Sequence, residues 1–421
     1  KNVSAPAPPF LYPSGVTSRA KNLTFASNEI GSRIMINTQN SMTCRLMLIF
    51  TAVAVGLAIL EAGTRWLAPQ VLVRAYNVPD PELGTYIAPN ADYFDTYTKE
   101  HGYRVRTNAH GFRMHEEVDL SHRRSRVMVY GDSFTFGWGV DLKDTYFAKV
   151  KSAIETAAPS AQLLNAGVGG YSSGHVKKLM ERHLPMLTPR AVIYFFNNND
   201  LVDNMVTDID YQVTAFDFDA NDAITLHDVQ PFASWKRFAL NHTPYGWLNR
   251  HSHLFVMTKA ATKRVIGWKR KLSTPQLAKS PPAAQARFTT DFTEHPDQDA
   301  EIRRWVAVSE AHVQRLSRLT IRTGIPIVLV WVPAPKEMFP TAMDGTSLSL
   351  LRAGRSMLTR LATETPGMAF IDAAAMIPTG PEWLAQKGSL RLSDGHFNPA
   401  GNAWYADLIL PRLRALIVPN L

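Results

Sequence analysis

Short, nearly unbroken apolar runs recur from residue 126 onward, at 126–130, 162–165, 191–196, 325–332 and 368–371. Runs of about four to eight apolar residues bounded by turn formers predict strands buried on both faces. Between most of them the apolar positions return with a helical period. Over 301–323, Ile302, Trp305, Val308, His312, Leu316 and Leu319 fall on one side of a helix. Strand, helix, strand repeats predict a parallel sheet covered on both faces, and in an open sheet of that kind ligands bind at the carboxyl ends of the strands. Functional residues are therefore expected just after the runs. Between about 201 and 300 the pattern breaks, with Pro, Asn and Asp scattered among aromatics (Trp235, Tyr245, Trp247) and a basic patch at 263–271, which reads as an insertion.

Before residue 125 the pattern is of another kind. Residues 46–60, LMLIFTAVAVGLAIL, are fifteen positions without a charge, followed by Glu61 and then Trp66. A span of a bilayer needs roughly 20 residues, and Glu61 near an interface with Trp66 as a belt residue completes the length. The stretch 45–67 reads as an uncleaved transmembrane anchor, ahead of a cleaved signal peptide or a buried helix. Lys1, Arg19, Lys21, Arg33 and Arg45 precede it against Glu29 alone. The positive-inside rule then puts residues 1–44 in the cytoplasm and the bulk of the chain outside it. Residues 1–44 are rich in Ser, Asn, Pro and Thr without an apolar period, which predicts a disordered tail. A translation start at Met42 would make part of that tail an artefact. Residues 68–124, with many turn formers and aromatics, read as an irregular lead-in with a short hairpin at most, and 125–421 as the main domain.

Composition adds exclusions. Across 421 residues, 45% hydrophobic and 19% charged content describes a globular chain able to bury a sizeable core. The net charge of +9 comes without a nucleic-acid reading motif, so it describes surface charge, and nucleic acid is not expected as a partner. One cysteine, Cys44, excludes an intrachain disulfide and a cysteine metal site.

Candidate chemistry sits where the strands end. After the first run comes Gly131-Asp132-Ser133-Phe134-Thr135-Phe136-Gly137, a serine on a sharp strand-to-helix turn. A serine hydroxyl is a weak nucleophile until a base takes its proton. Near the C-terminus, Ser393-Asp394-Gly395-His396-Phe397-Asn398 supplies a histidine and a carboxylate two residues apart. An imidazole oriented by Asp394 would serve Ser133 as general base and a leaving alcohol as general acid. After the second and third runs, Asn165-Ala166-Gly167-Val168-Gly169-Gly170 and Asn197-Asn198-Asn199-Asp200 offer backbone and amide donors for a developing oxyanion. Taken one at a time, each block also reads as an ordinary turn or cap. Asp217–Asp222 lacks the glycine and glutamate of a calcium loop, and His251 with His253 has no third ligand in view, so no metal is expected.

The order Gly-Asp-Ser, Gly, Asn-Asp, Asp-x-His resembles the SGNH (GDSL-type) hydrolase superfamily over about residues 126–418. The resemblance implies a flavodoxin-like three-layer α/β/α sandwich with about five parallel strands, here preceded by one N-terminal transmembrane helix. It implies Ser133 as nucleophile, Asp394 and His396 as the rest of a triad, and Ser133, Gly170 and Asn199 as oxyanion-hole donors, with no cofactor. Two positions depart from the family pattern: Asn197 replaces the glycine of Gly-x-Asn-Asp, and Asp394 stands two residues before the histidine where three are usual. Thr107-Asn108-Ala109-His110-Gly111-Phe112-Arg113, with Glu61 and Arg65, looks like the lead-in of membrane-anchored bacterial SGNH proteins; on its own Arg113 reads as the partner in a structural ion pair. The function implied is hydrolysis of O-acyl groups, above all O-acetyl groups, on a cell-envelope or exported polysaccharide. The alternatives are an O-acyltransferase using a sugar hydroxyl as acceptor and a non-catalytic glycan-binding protein of the same fold. The oligomeric state is left open.

Overall fold

The apolar runs are strands, and they lie side by side. The computed structural model describes residues 17–70, 72, 76–95, 102–121, 124–205, 212–219, 223–231, 238–239, 243–262, 298–340, 345–386 and 388–421. The chain divides into two units, one of residues 1–70 with 252–261 and one of 71–251 with 262–421.

The first unit is built on a single long helix, α1 (Thr17–Leu67). Helix from Thr17 differs from the disordered tail expected over 1–44. The four prolines of that region end at Pro13, and beyond them nothing in the sequence breaks a helix, although its polar residues give no period to announce one. From Met42 to Leu67 the helix is long and apolar enough to cross a membrane. Its large side chains, Leu46, Phe50 and Ile59 among them, are exposed. Near its end the Glu61 carboxylate accepts hydrogen bonds from Ser252 Oγ (2.8 Å) and the N–H groups of His253 (3.0 Å) and Leu254 (2.9 Å). Glu61 thereby caps the helical stretch 253–262.

The second unit opens with two antiparallel pairs, β1 (Asn77–Asp80) with β2 (Gly84–Ile87) and β3 (Asp92–Asp95) with β4 (Tyr103–Arg106). The lead-in is therefore more regular than its turn-rich sequence predicts. Tyr76, Leu83, Ile87, Tyr103, Val105 and Phe112 bury into the same apolar cluster as the main sheet. That sheet follows, with β5 (Ser125–Tyr130), β6 (Ala161–Asn165) and β7 (Ala191–Asn197), then, past an antiparallel hairpin of β8 (Thr214–Phe218) and β9 (Ile224–Asp228), β10 (Ile327–Val332) and β11 (Met368–Ile371). The order across the five parallel strands is β6-β5-β7-β10-β11. The first strand of the sheet thus lies between the second and third, the flavodoxin-like arrangement, and the chain reverses direction across the sheet between β5 and β7.

Side-chain alternation makes the three layers. In β5, Met128 and Tyr130 face one apolar cluster and Val127 and Val129 the other. The second face is covered by α3 (Tyr146–Ala157) and the C-terminal helix Pro399–Ile417, through Val150, Ile154, Tyr405 and Ile409. Helices α4 (Ser173–Leu187), α6 (Gln298–Thr323) and α7 (Gly345–Glu364) cover the first. Two short helices stand at strand ends, α2 (Ser133–Phe136) after β5 and α5 (Asp200–Asp203) after β7. Tyr245 and Trp247 of the inserted region are exposed and are not core; Trp235 and the basic patch lie outside the described residues.

Candidate active site

The turn after β5 presents Ser133. Gly131 has φ 155°, and a Cβ there would lie 2.0 Å from Thr135 Oγ1, so no larger residue fits. Asp132 caps α2, its Oδ1 accepting the Phe134 N–H at 2.9 Å, and Gly137 ends that helix in the left-handed conformation. The serine side chain is left half-buried at the carboxyl end of the sheet, beside the β5/β7 reversal.

The loop after the short helix Pro381–Leu384 brings the partners from the far end of the chain. His396 Nε2 lies 2.8 Å from Ser133 Oγ. Asp394 Oδ2 is 3.1 Å from His396 Nδ1, and Asp394 Oδ1 accepts the backbone N–H of His396 at 3.1 Å. Burial raises the Asp394 pKa, but the nearby His396 imidazole, the backbone N–H of His396 and the Trp138 donor outweigh it and hold the carboxyl below its usual value. A hydroxyl, an imidazole and a carboxylate thus stand in sequence, an arrangement able to shuttle a proton from the serine.

The oxyanion candidates lie around the same turn. The strand-end loop of β6 passes alongside Ser133: a Cβ built on Gly169 would sit 3.7 Å from Ser133 Cβ, and Gly170 beside it has φ 81° and open space on its side-chain face. Asn165 ties this loop to the nucleophile's turn, its Nδ2 donating to Thr135 O at 3.0 Å. Asn199 is next to Asp132, where its amide is among the groups lowering that carboxyl's pKa. One Nδ2 hydrogen of Asn199 goes to Asp203 Oδ2 at 3.0 Å, and the amide carries a second. Among the described residues no group of three or more His, Cys, Asp or Glu side chains is placed to hold a metal ion.

The family profile described as the GDSL-like Lipase/Acylhydrolase family matches residues 129–404, well over half of the sequence and all the blocks just described. The chain belongs to the GDSL-like lipase/acylhydrolase family. Membership makes it a serine esterase. Among solved structures this GDSL esterase is similar to TesA, at 11% identity over 70% of this chain and 100% of that one with a TM-score of 0.39. It is similar also to a psychrotrophic esterase from Pseudoalteromonas sp. (10% identity, 69% and 97% covered, TM-score 0.36) and to a catalytic mutant of an acetylxylan esterase from Geobacillus stearothermophilus (13%, 69% and 94%, TM-score 0.34). Likenesses this distant say nothing of substrate. No curated protein matches the chain.

Within the GDSL esterase the two departures from the family pattern have visible consequences. Asn197, in the glycine position, donates its Nδ2 to Asp132 Oδ2 at 2.8 Å, while its backbone N–H donates to Asp200 Oδ2 at 2.9 Å. Both carboxyls are buried, and burial raises both pKa values, that of Asp200 further through the charges of Asp132 and Asp203. The shortened Asp-x-His spacing brings Asp394 close to His396 Nδ1, yet that nitrogen has no aligned hydrogen bond.

Two residues at the site, Trp138 and Arg391, are not picked out by sequence reasoning, and a third, Arg113, is picked out without its role. Trp138 donates Nε1–H to Asp394 Oδ2 at 3.1 Å. Arg391 donates to the carbonyls of Gly395 (2.5 Å) and Pro333 (2.8 Å) and lies over the Phe397 ring, which holds the histidine loop; burial lowers its pKa to about 9. Arg113, a residue of the lead-in motif, reads on its own as the partner in a structural ion pair. Its guanidinium instead donates to the carbonyls of Phe136, Gly137, Val140 and Arg104, wholly buried against the turn that follows Ser133. The nearest signals in the sequence are Trp138 between two glycines just past the serine motif, and a basic residue three positions before Asp394.

Proposed function

We propose that Ser133, His396 and Asp394 form the catalytic triad of an esterase that removes O-acyl groups, chiefly O-acetyl groups, from a cell-envelope or exported polysaccharide. The observation that carries this reading is the 2.8 Å approach of Ser133 Oγ to His396 Nε2 across 263 residues of sequence. Ser133 Oγ attacks the ester carbonyl carbon as His396 Nε2 takes its proton. The charge on the carbonyl oxygen is met by the N–H groups of Ser133 and Gly170 and the amide of Asn199. His396 then gives its proton to the departing alcohol oxygen, the C–O bond breaks, and an acyl-serine remains. Water, deprotonated by His396, attacks that acyl group, and the second tetrahedral species collapses as His396 Nε2 returns the proton to Ser133 Oγ, releasing the carboxylic acid and free serine. Asp394 stabilises the imidazolium at both stages.

The apolar helix Met42–Leu67 supports attachment to a membrane, and the basic residues before it support a catalytic unit outside the cytoplasm, where envelope polysaccharides are met. The test is hydrolysis of p-nitrophenyl acetate and longer esters by the full chain in detergent, beside Ser133→Ala and His396→Ala. Both variants are expected to lose activity by several orders of magnitude. Activity that survives in Ser133→Ala overturns the assignment, and transfer of acyl mass to an added glycan in preference to hydrolysis would make the protein an acyltransferase.

A further inference from the structure

The tryptophan past the nucleophile touches all three members of the triad. Its backbone N–H donates to Ser133 O at 3.0 Å, so it rides on the nucleophile's own turn. Its indole stacks on the His396 ring with centroids 5.7 Å apart and planes 26° from parallel. Its Nε1–H donates to Asp394 Oδ2 at 3.1 Å.

The need for such a donor follows from the spacing of the last block. With only Gly395 between them, Asp394 turns one oxygen back onto the N–H of His396, a local turn that occupies Oδ1. Oδ2 is left for the imidazole, at 3.1 Å from Nδ1 but without the alignment of a hydrogen bond. The carboxylate is a third exposed, so water competes for it. An indole N–H delivered from a different part of the chain fixes Oδ2 against that competition and points it at the imidazole.

We propose that Trp138 is a positioning residue for Asp394, tethering across the fold the oxygen that the two-residue Asp-x-His spacing leaves beside the imidazole without a local anchor. The proposal rests on the triad reading above. Trp138 is itself held from the opposite side. Arg113 grips the carbonyls of Phe136, Gly137 and Val140, which bracket the tryptophan. The ring therefore projects from a segment fixed at both ends, and what it fixes in turn is a side chain on a distant loop. The order of support runs from Arg113 to the 136–140 turn, to the indole, to Asp394 and to the imidazole.

The experiment is a double-mutant cycle on the full chain in detergent, with kcat and KM for p-nitrophenyl acetate and the rate of labelling by a fluorophosphonate probe as readouts. Trp138→Phe keeps an aromatic ring over His396 and removes the donor. It is expected to lower kcat and the labelling rate about tenfold, the scale of a hydrogen bond to a charged group, with KM within about twofold of the parent. In an Asp394→Ala background the same substitution is expected to change the labelling rate less than about twofold, because the group through which it acts is gone. Trp138→Gln, which restores an N–H without a ring, is expected to label faster than Trp138→Leu, and this pair decides the matter if Trp138→Phe fails to fold. Equal losses in both backgrounds, a change confined to KM, or Gln and Leu variants alike would overturn the proposal. Failure of the triad reading itself shows separately, as labelling that persists in Ser133→Ala.

Discussion

Asn197 stands where the family pattern has glycine, and its amide binds the buried carboxyl of Asp132, next to Ser133. Replacing it by glycine would leave the buried Asp132 Oδ2 without that donor, a loss of about 1–3 kcal/mol. The expected outcome for Asn197→Gly is a lower urea midpoint together with slower turnover, since Asp132 also caps the helix that begins at Ser133; an unchanged midpoint would show that the family glycine is equivalent here. At this scale the sequence was readable where a residue announces itself locally. Ser133 follows an apolar run directly, and Asp394 and His396 share one loop. Trp138 and Arg391 do not announce themselves, because what each does is created by folding: the Trp138 to Asp394 contact joins residues 256 apart. Arg113 was visible as a motif residue but given the wrong partner. A guanidinium has five N–H donors and is satisfied as well by several carbonyls as by one carboxylate.

The same guanidinium matters more at the level of elements, because it joins β4, through the Arg104 carbonyl, to the turn after β5. An ammonium in its place has three donors on one atom and cannot reach four separated carbonyls. Arg113→Lys is therefore expected to be destabilised by about 2–4 kcal/mol and to lose turnover in the same step, measured as thermal midpoint and kcat. A variant with normal stability and activity would show the lead-in to be an appendage. The elements themselves were legible in proportion to their period. The five sheet strands were found to within two residues, and the helix over 301–323 begins only three residues earlier, at Gln298. The lead-in strands of four residues each are too short and too mixed to show alternation. Helix before residue 42 is polar, and a polar helix leaves no apolar stripe to read.

Taken whole, the catalytic unit buries two histidines uncharged on the helices of one face. Burial lowers His183 and His312 from 6.5 to about 3, with the charges of Arg182 and Arg315 adding in the same direction. In the unfolded chain these rings titrate near 6.5, so as pH falls the unfolded state takes up protons first. Their stabilising contribution is complete above that value and is lost as pH falls toward 3, at about 1.4 kcal/mol per pH unit for each histidine. The thermal midpoint in detergent is expected to fall steadily from pH 6.5 to 4, and His183→Phe, among Phe112 and Tyr130, to show a shallower fall. A flat profile in the parent would mean that these histidines are protonated without penalty.

The bond between Glu61 and residues 252–254 bears on how such an enzyme is released. Because 252–261 belong with the long helix, the peptide chain passes between the two units three times, at 70/71, 251/252 and 261/262. A protease site placed at 71–75 severs one of these crossings only. With α1 in a bilayer, the clipped esterase is expected to stay in the sediment on ultracentrifugation, moored by the helix that Glu61 caps, and to shed into the supernatant once Glu61→Ala loosens that mooring. If α1 spans a bilayer, one cut at 71–75 does not free the esterase, because residues 252–261 tie the chain to that helix a second time.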